Sequence, residues 1–458
     1  MKKLFLISLL IVVMIGLVAS GCAEPAPSPS PAPSPAPAPE PAPAAPDEIR
    51  IGYSGSLTGM LAAFGTGNAF GIEAAVEDIN KLGGVYLSEY DTRVPVRAIV
   101  VDCESELTKR GSLAEDLILR DNVHFLVSDS LPAPIRESTL ADQYKIPNIM
   151  GGGPLEPWLA RRSEVTPPWP YTWFVGFRIA MPPPPGDYRA GKPGYTIMDA
   201  WKGMLDRFGD QTNKKMGVFA SDDPDGIGWY RSFPPLLKEW GYEVVGVESD
   251  VGLFPLETTD YTAIIKTWMK NDVEILWGNC PGAHFGTLWR QCHELNFKPK
   301  MVSVARAAQF YTDIAAWGGD LPLAVCTEIK WDPAYKDSPG IGDTTPESLA
   351  ARWTEETGMP LNRNISDGYV TVQVLLDAIE RAGTFDGEQV NNALADTDLH
   401  TIFHRVVFDP GTHFSGTPVF MGQWMKTDEP WVWEYPVVIS KHEFVPATHE
   451  PIFPIPYE

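Results

Sequence analysis

Cysteine is scarce, with five in 458 residues, so no dense disulfide framework holds this chain together. Basic residues are outnumbered: 36 Lys and Arg stand against 59 Asp and Glu, a formal charge of −23. A polyanion of that size repels nucleic-acid phosphates and anionic head groups, which excludes nucleic acid as a partner. After residue 21 no apolar run approaches the roughly 20 residues that cross a bilayer, which argues against a one-chain membrane receptor. Catalytic motifs are missing too. There is no G-x-S-x-G, no H-E-x-x-H and no G-x-x-x-x-G-K-[ST], so neither a nucleophile elbow, a zincin helix nor a phosphate loop supports an enzyme. What is present is apolar: 44% hydrophobic residues, with 15 Trp, 15 Tyr and 20 Phe, too much to stay unfolded and, over this length, enough for two to four domains.

The first 46 residues stand apart. Lys2 and Lys3 precede an apolar run from Leu4 to Val18, after which Ala19, Ser20 and Gly21 lead to Cys22. Charged start, apolar middle and small-residue end make residues 1–21 a secretory signal, and the run is too short for a permanent span. Residues 19–22 resemble the lipobox of bacterial lipoproteins, with Ala19 where leucine is usual. The resemblance implies that Cys22 becomes the lipidated first residue and ties the protein to a membrane. Of the 24 residues between Cys22 and Asp47, 11 are Pro and none is large and apolar. Residues 22–46 therefore read as a lipidated cysteine and a semi-rigid polyproline tether, up to about 75 Å long at ~3.1 Å per residue.

From Asp47 onward strand-like and helix-like segments alternate. Glu48 to Tyr53 is followed by a helix with Ile72, Ala75, Val76 and Ile79 at helical spacing, stopped by Gly83 and Gly84. Strands at 94–102, 123–128 and 146–150 alternate with helices around 113–120 and 135–144. A Pro-rich stretch, 167–193, interrupts the pattern. It resumes with helices at 197–208, 229–240, 261–270 and 284–295 between strands at 215–221, 242–249, 273–279 and 300–305. Helices at 346–357, 366–382 and 387–394 precede a β-rich tail from Val406. Alternation of this kind builds parallel sheets covered on both faces. The fold class expected is α/β: two doubly wound parallel-sheet lobes joined by a multi-strand hinge. Residues 47–173 with 330–405 form the first lobe and 174–329 with 406–458 the second, the chain crossing near Trp173, Ile329 and Arg405. Ligands of such sheets bind outside the carboxyl ends of the strands, so facing lobes enclose a cleft.

IGYSGSLTGMLAAFGTGNAFGIEAAVEDINKLGG (Ile51 to Gly84) resembles the opening of the leucine/isoleucine/valine-binding family of periplasmic substrate-binding proteins. VHFLVSDS, YKIPNIM, DDPDGIGW (Asp222 to Trp229), FKPKMVSVARA (Phe297 to Ala307) and VVFDPGTHFSGTPVFMGQW (Val406 to Trp424) follow in the family's order. The resemblance covers nearly all of 47–424. It implies a type I periplasmic-binding fold that captures a small-molecule solute without turnover or cofactor and hands it to the permease subunits of an ABC importer. It places the protein outside the cytoplasm, in the periplasm or at the cell surface.

Candidate ligand contacts follow from strand ends. Ser54 and Ser56 close the first strand, and Ser128, Asp129 and Ser130 a later one, where hydroxyls and bare N–H groups meet a polar solute. Phe64 takes the place of a family aromatic that lies against the ligand. Gly151, Gly152 and Gly153 let the backbone come close to a ligand. In the second lobe Asp225 falls near a ligand-facing family position, Asn279 ends its strand with a paired donor and acceptor, and Arg306 stands where amino-acid binders carry an acid. Pro154 stands near a family Thr and has neither hydroxyl nor N–H. Those two departures point to a small organic or aromatic acid as cargo, Arg306 offering a fork for a carboxylate. Branched-chain or other amino acids, or a solute-sensing role, are the alternatives.

Three patterns point away from other chemistry. GTGNAFG (Gly65 to Gly71) misses the dinucleotide fingerprint by one residue. Around Asp222, Asp223 and Asp225 a calcium loop would need acids at 221 and 232, where both residues are Ser. Cys280, His284, Cys292 and His293 match no zinc spacing, so no metal is expected. Cys280 and Cys292, ~18 Å apart along a helix, should not bridge each other; whether any of Cys103, Cys280, Cys292 and Cys326 pair otherwise is open.

Overall fold

The computed structural model describes residues 44–129, 135–428 and 431–457. The signal and tether assignments, Cys22 included, fall outside them, as does Ser130. No described helix is long and apolar enough to cross a membrane.

Two sheets carry the molecule. The first has six parallel strands in the spatial order Phe414–Gly416, Thr172–Phe177, Asn148–Pro154, Phe125–Asp129, Ile49–Gly55 and Val96–Asp102. The second runs Leu253–Phe254, Lys215–Ser221, Ile275–Cys280, Met301–Arg306 and Cys326–Ile329 in parallel, then Phe420–Gln423 and Val437–Ile439 antiparallel, with Glu243–Val245 paired to Lys215–Ser221. Parallel pairing follows from helical crossovers, and it buries both faces of a strand: Phe125–Asp129 and Ile275–Cys280 are buried at every position.

The GTGNAFG glycines find their use in the first lobe. Helix Ala62–Lys81 lies against helix Ile365–Ala382, and a Cβ on Gly71 would strike the Ile365 carbonyl, as one on Gly368 would strike that of Asn68. Gly71 and Gly368 bring two helix backbones together, while Gly65 makes room for the Ser56 backbone and Gly67 for the Asn362 side chain. Ile365–Ala382 is buried along most of its length, an internal helix rather than a surface one. The second lobe is filled by indoles instead. Trp201 meets Trp277 edge-on at 5.2 Å and Trp229 at 5.6 Å, pairs that add about 0.5–1.5 kcal/mol each beyond their buried area. Asp223 caps helix Pro224–Glu239 by accepting from the N–H groups of Asp225 and Gly226, worth about 1 kcal/mol. With Pro224 in the first turn, that cap starts the helix five residues before the expected Trp229.

The boundaries differ from expectation in two places. TWFVGF inside the Pro-rich stretch is a strand buried at all six positions, so the first crossing comes after Phe177. The expected boundary puts everything after 405 in the second lobe, but Phe414–Gly416 forms the edge of the first sheet, in parallel register with Phe174–Gly176. The last crossing therefore lies between Gly416 and Phe420. Cys103, Cys280, Cys292 and Cys326 are all buried and unbridged.

Candidate ligand cleft

The carboxyl ends of both sheets face one another, and the lobes touch. Phe64, in the first turn of helix Ala62–Lys81, meets Phe310 of the second lobe edge-on, ring centroids 4.4 Å apart. Between the lobes lies a narrow cleft, about 20 Å³, walled by Phe64, Gly152 and Pro154 on one side and Asp225, Trp229, Asn279 and Arg306 on the other, with Phe177, Gln309, Glu328 and Lys330 beside them.

The second-lobe wall is charged. Strands Lys215–Ser221, Ile275–Cys280 and Met301–Arg306 are neighbours in parallel register, so their ends arrive together. Arg306 adopts a left-handed φ of 64°, an uncommon conformation for a side-chain-bearing residue. Its guanidinium donates to Asn279 Oδ1 at 3.0 Å, Ser221 Oγ at 2.6 Å and Asp223 Oδ2 at 3.0 Å, and Nε lies 3.6 Å from Asp225 Oδ2. Asn279 in turn donates to Asp225 Oδ2 at 3.0 Å. Burial raises the Asp225 carboxyl against the pull of Arg306 and Asn279. Burial works the same way on Asp223, but Arg306 and the N–H of Gly226 outweigh it and lower that group. Arg306 is thus a cation held between two carboxylates, not the free fork expected for a solute's carboxylate; nothing in the sequence reveals a partnership spanning 83 residues.

A second arginine is held by two carboxylates behind the first-lobe wall. Arg110 pairs with Asp129 at 2.6 Å and with Glu137, all three nearly inaccessible, and Tyr53 donates its hydroxyl proton to Asp129. Ser54 donates to the Arg110 carbonyl, Ser56 lies 3.4 Å from the Cys103 sulfur, and Ser128 donates to Asn148. These four candidates, Asp129 included, are buried with partners inside the lobe, and none lines the cleft. Gly151 packs against the Asp367 carbonyl and Gly153 turns its own carbonyl toward Gly176. Gly152 does line the cleft. Its φ is +81°, and a Cβ there would strike the Asp367 carboxylate, so glycine is required by helix Ile365–Ala382 behind it.

Sequence reasoning missed Phe177, Trp229, Gln309, Glu328 and Lys330. Lys330 leaves strand Cys326–Ile329, donates to the Gly152 carbonyl at 3.1 Å and to Asp367 at 3.3 Å, and sits 5.1 Å from the Phe177 ring centre. An ammonium has three donors, so one N–H is left for the cleft. Glu328, one turn of strand earlier, accepts from Gln309 and Thr327. Burial pushes its carboxyl up to about 7 despite the nearby Lys330. The only signal for this pair was an acid and a base two apart in an apolar strand, T-E-I-K-W.

Residues 48–429 match the family model described as periplasmic binding protein. Among solved structures, the fold resembles the leucine-binding protein of Thermotoga maritima (18% identity, 86% of this chain and 99% of that one, TM-score 0.64). It also resembles the branched-chain amino acid transporter substrate-binding protein of Streptococcus pneumoniae in complex with isoleucine (15%, 85% and 99%, 0.64). A solute-binding protein of an ABC transporter from R. palustris, in complex with 4-hydroxybenzoate, is similar to the same degree (17%, 86% and 96%, 0.63). The chain belongs to the periplasmic binding protein family: it is a solute-binding protein whose two α/β lobes meet over the cleft described above.

Proposed function

We propose that this protein is an extracytoplasmic lipoprotein, anchored through Cys22, that captures a small organic acid with an aromatic or apolar body and delivers it to an ABC importer without chemical turnover. The observation that carries the cargo class is Lys330: a cleft cation with a spare N–H, set between the aromatic rings of Phe177, Phe64 and Trp229. The solute's carboxylate meets Lys330 and the ring stacks on Phe64, while Asn279, Asp225 and Arg306 read its remaining polar groups. Gly152 contributes shape, and Ser54, Ser56, Ser128, Asp129, Gly151 and Gly153 support the wall from behind. A second reading has its own observation. Asp225 and Glu328 put two carboxyl groups in the same cleft, and these suit an ammonium, hence an amino acid.

Calorimetry with 4-hydroxybenzoate, leucine and isoleucine separates the two. Micromolar binding of the aromatic acid, weakened at least tenfold in Lys330→Gln, supports the first reading. Micromolar binding of leucine with no response to the aromatic acid overturns it. Recovery of the titrated solute unaltered after prolonged incubation tests the absence of turnover.

A further inference from the structure

A larger hollow, about 280 Å³, lies on the same seam between the lobes. Leu361 and Arg363 of the first lobe face Trp424, Trp431, Trp433 and Tyr435 of the second across it. Several of its polar groups are already engaged, although the buried Nε–H of Arg363 keeps no partner. Arg363 donates to Asp332 at 2.9 Å and lies 4.0 Å over the Tyr435 ring. Trp424 donates its indole N–H to the Ala308 carbonyl at 2.8 Å, and Tyr435 its hydroxyl to the Gln309 carbonyl at 2.9 Å. What the hollow offers a ligand is mainly ring faces, with one exposed carboxylate, Glu434, that turns away an anion, a surface that suits an uncharged planar ring. It adjoins the cleft: a smaller cavity shares Arg363 and Tyr435 with the hollow and Gln309, Glu328 and Lys330 with the cleft.

We infer that this hollow is a second ligand site, distinct from the solute cleft, for an uncharged aromatic ring. Because its walls come from both lobes, the site is whole only when they meet. A ring bound there favours the closed state, and by linkage it tightens the cleft for its own solute. The contact between the two sites is Tyr435, whose hydroxyl holds the backbone of Gln309 while the Gln309 amide holds Glu328.

The test is calorimetric titration of the whole protein with 2-naphthol, uncharged at pH 7, with no cleft solute present, so its result does not depend on the cargo reading. One ring is expected per chain. Affinity should fall at least tenfold in Trp431→Ala and stay within twofold in Asn279→Ala, a cleft substitution. Leu361→Trp, which fills the hollow from the opposite wall, should give the same loss without removing any indole. No binding up to 1 mM, full affinity in Leu361→Trp, or loss in Asn279→Ala alone would each overturn the inference.

Discussion

Each lobe holds an arginine between two acids beside the end of a strand, and the two clusters differ in exposure. Arg110, Asp129 and Glu137 are sealed, with side chains 2%, 7% and 5% exposed, whereas Arg306, Asp223 and Asp225 are 11%, 16% and 18% exposed and turn toward the cleft. The first lobe buries its charge and shows the solute glycine, proline and phenylalanine. The second presents its charge. A cluster that water never reaches can only fix structure, because a buried pair gains little over apolar packing yet is costly to break. A cluster at a cleft wall keeps donors and acceptors within reach of a ligand. The capture site is therefore asymmetric: the first-lobe wall supplies shape, the second-lobe wall carries a charged cluster, and Lys330, at the crossing between them and held by Gly152 and Asp367, adds the cation.

The largest effect expected from this comparison is Arg110→Met. It strands two buried carboxylates, and stability measured by urea unfolding should fall by about 3–5 kcal/mol. Solute affinity of the molecules still folded should stay within threefold. An affinity loss larger than the stability loss would erase the division of roles. Arg306→Met should do the reverse. Water can reach Asp223 and Asp225, so the stability cost should be about 2 kcal/mol, while affinity falls at least tenfold because the wall loses the group that orders Asn279 and Asp225. Unchanged affinity would make the second cluster as structural as the first.

The two clusters also mark what could be read from the sequence. Hydrophobic periodicity placed helices such as Ile197–Phe208 and Pro346–Thr357 at the residues observed, because a continuous amphipathic pattern is a local property. Strand Thr172–Phe177 was hidden because its signal, an apolar run, also lay among prolines. Asp225, Asn279 and Arg306 could be assigned to one cleft wall by counting strand ends, whereas their pairing could not. Whether an arginine is free or neutralised depends on residues brought together only by the sheet order. The Gly151–Gly153 run was legible as a demand for backbone space, but what fills the space at Gly152 is Asp367, from a helix more than 200 residues away.

That reassignment gives the third test. Gly152→Ala should cost about 1–2 kcal/mol, since φ is +81° and the new Cβ meets the Asp367 carboxylate. It should also weaken the solute severalfold, because Asp367 and the Gly152 carbonyl both hold Lys330. Paired loss in melting temperature and affinity is the expected pattern. A loss of stability alone would detach Lys330 from the site.

The smallest effect concerns Glu328, a cleft carboxyl that belongs to neither cluster. Burial raises it to about 7 from an ordinary value of 4.5. A raised carboxyl binds its proton more tightly in the folded chain than in the unfolded one. Its contribution is therefore fully present below about pH 4.5 and is lost as pH rises to about 7, after which the curve is flat. Between pH 6 and pH 8 that amounts to about 1 kcal/mol at 1.36 kcal/mol per unit. Other raised acids, Asp142 and Asp313 at about 6, add slopes of the same sign, so the whole-protein curve does not isolate this one. The difference between wild type and Glu328→Gln does. The amide cannot ionise and keeps the donor and acceptor facing Gln309, Thr327 and Lys330. Urea unfolding at pH 6 and pH 8 should show the wild type losing about 1 kcal/mol more than the variant. Equal losses would mean that Glu328 is ionised throughout, which would return a full negative charge to the cleft and favour an ammonium-bearing solute over an organic acid.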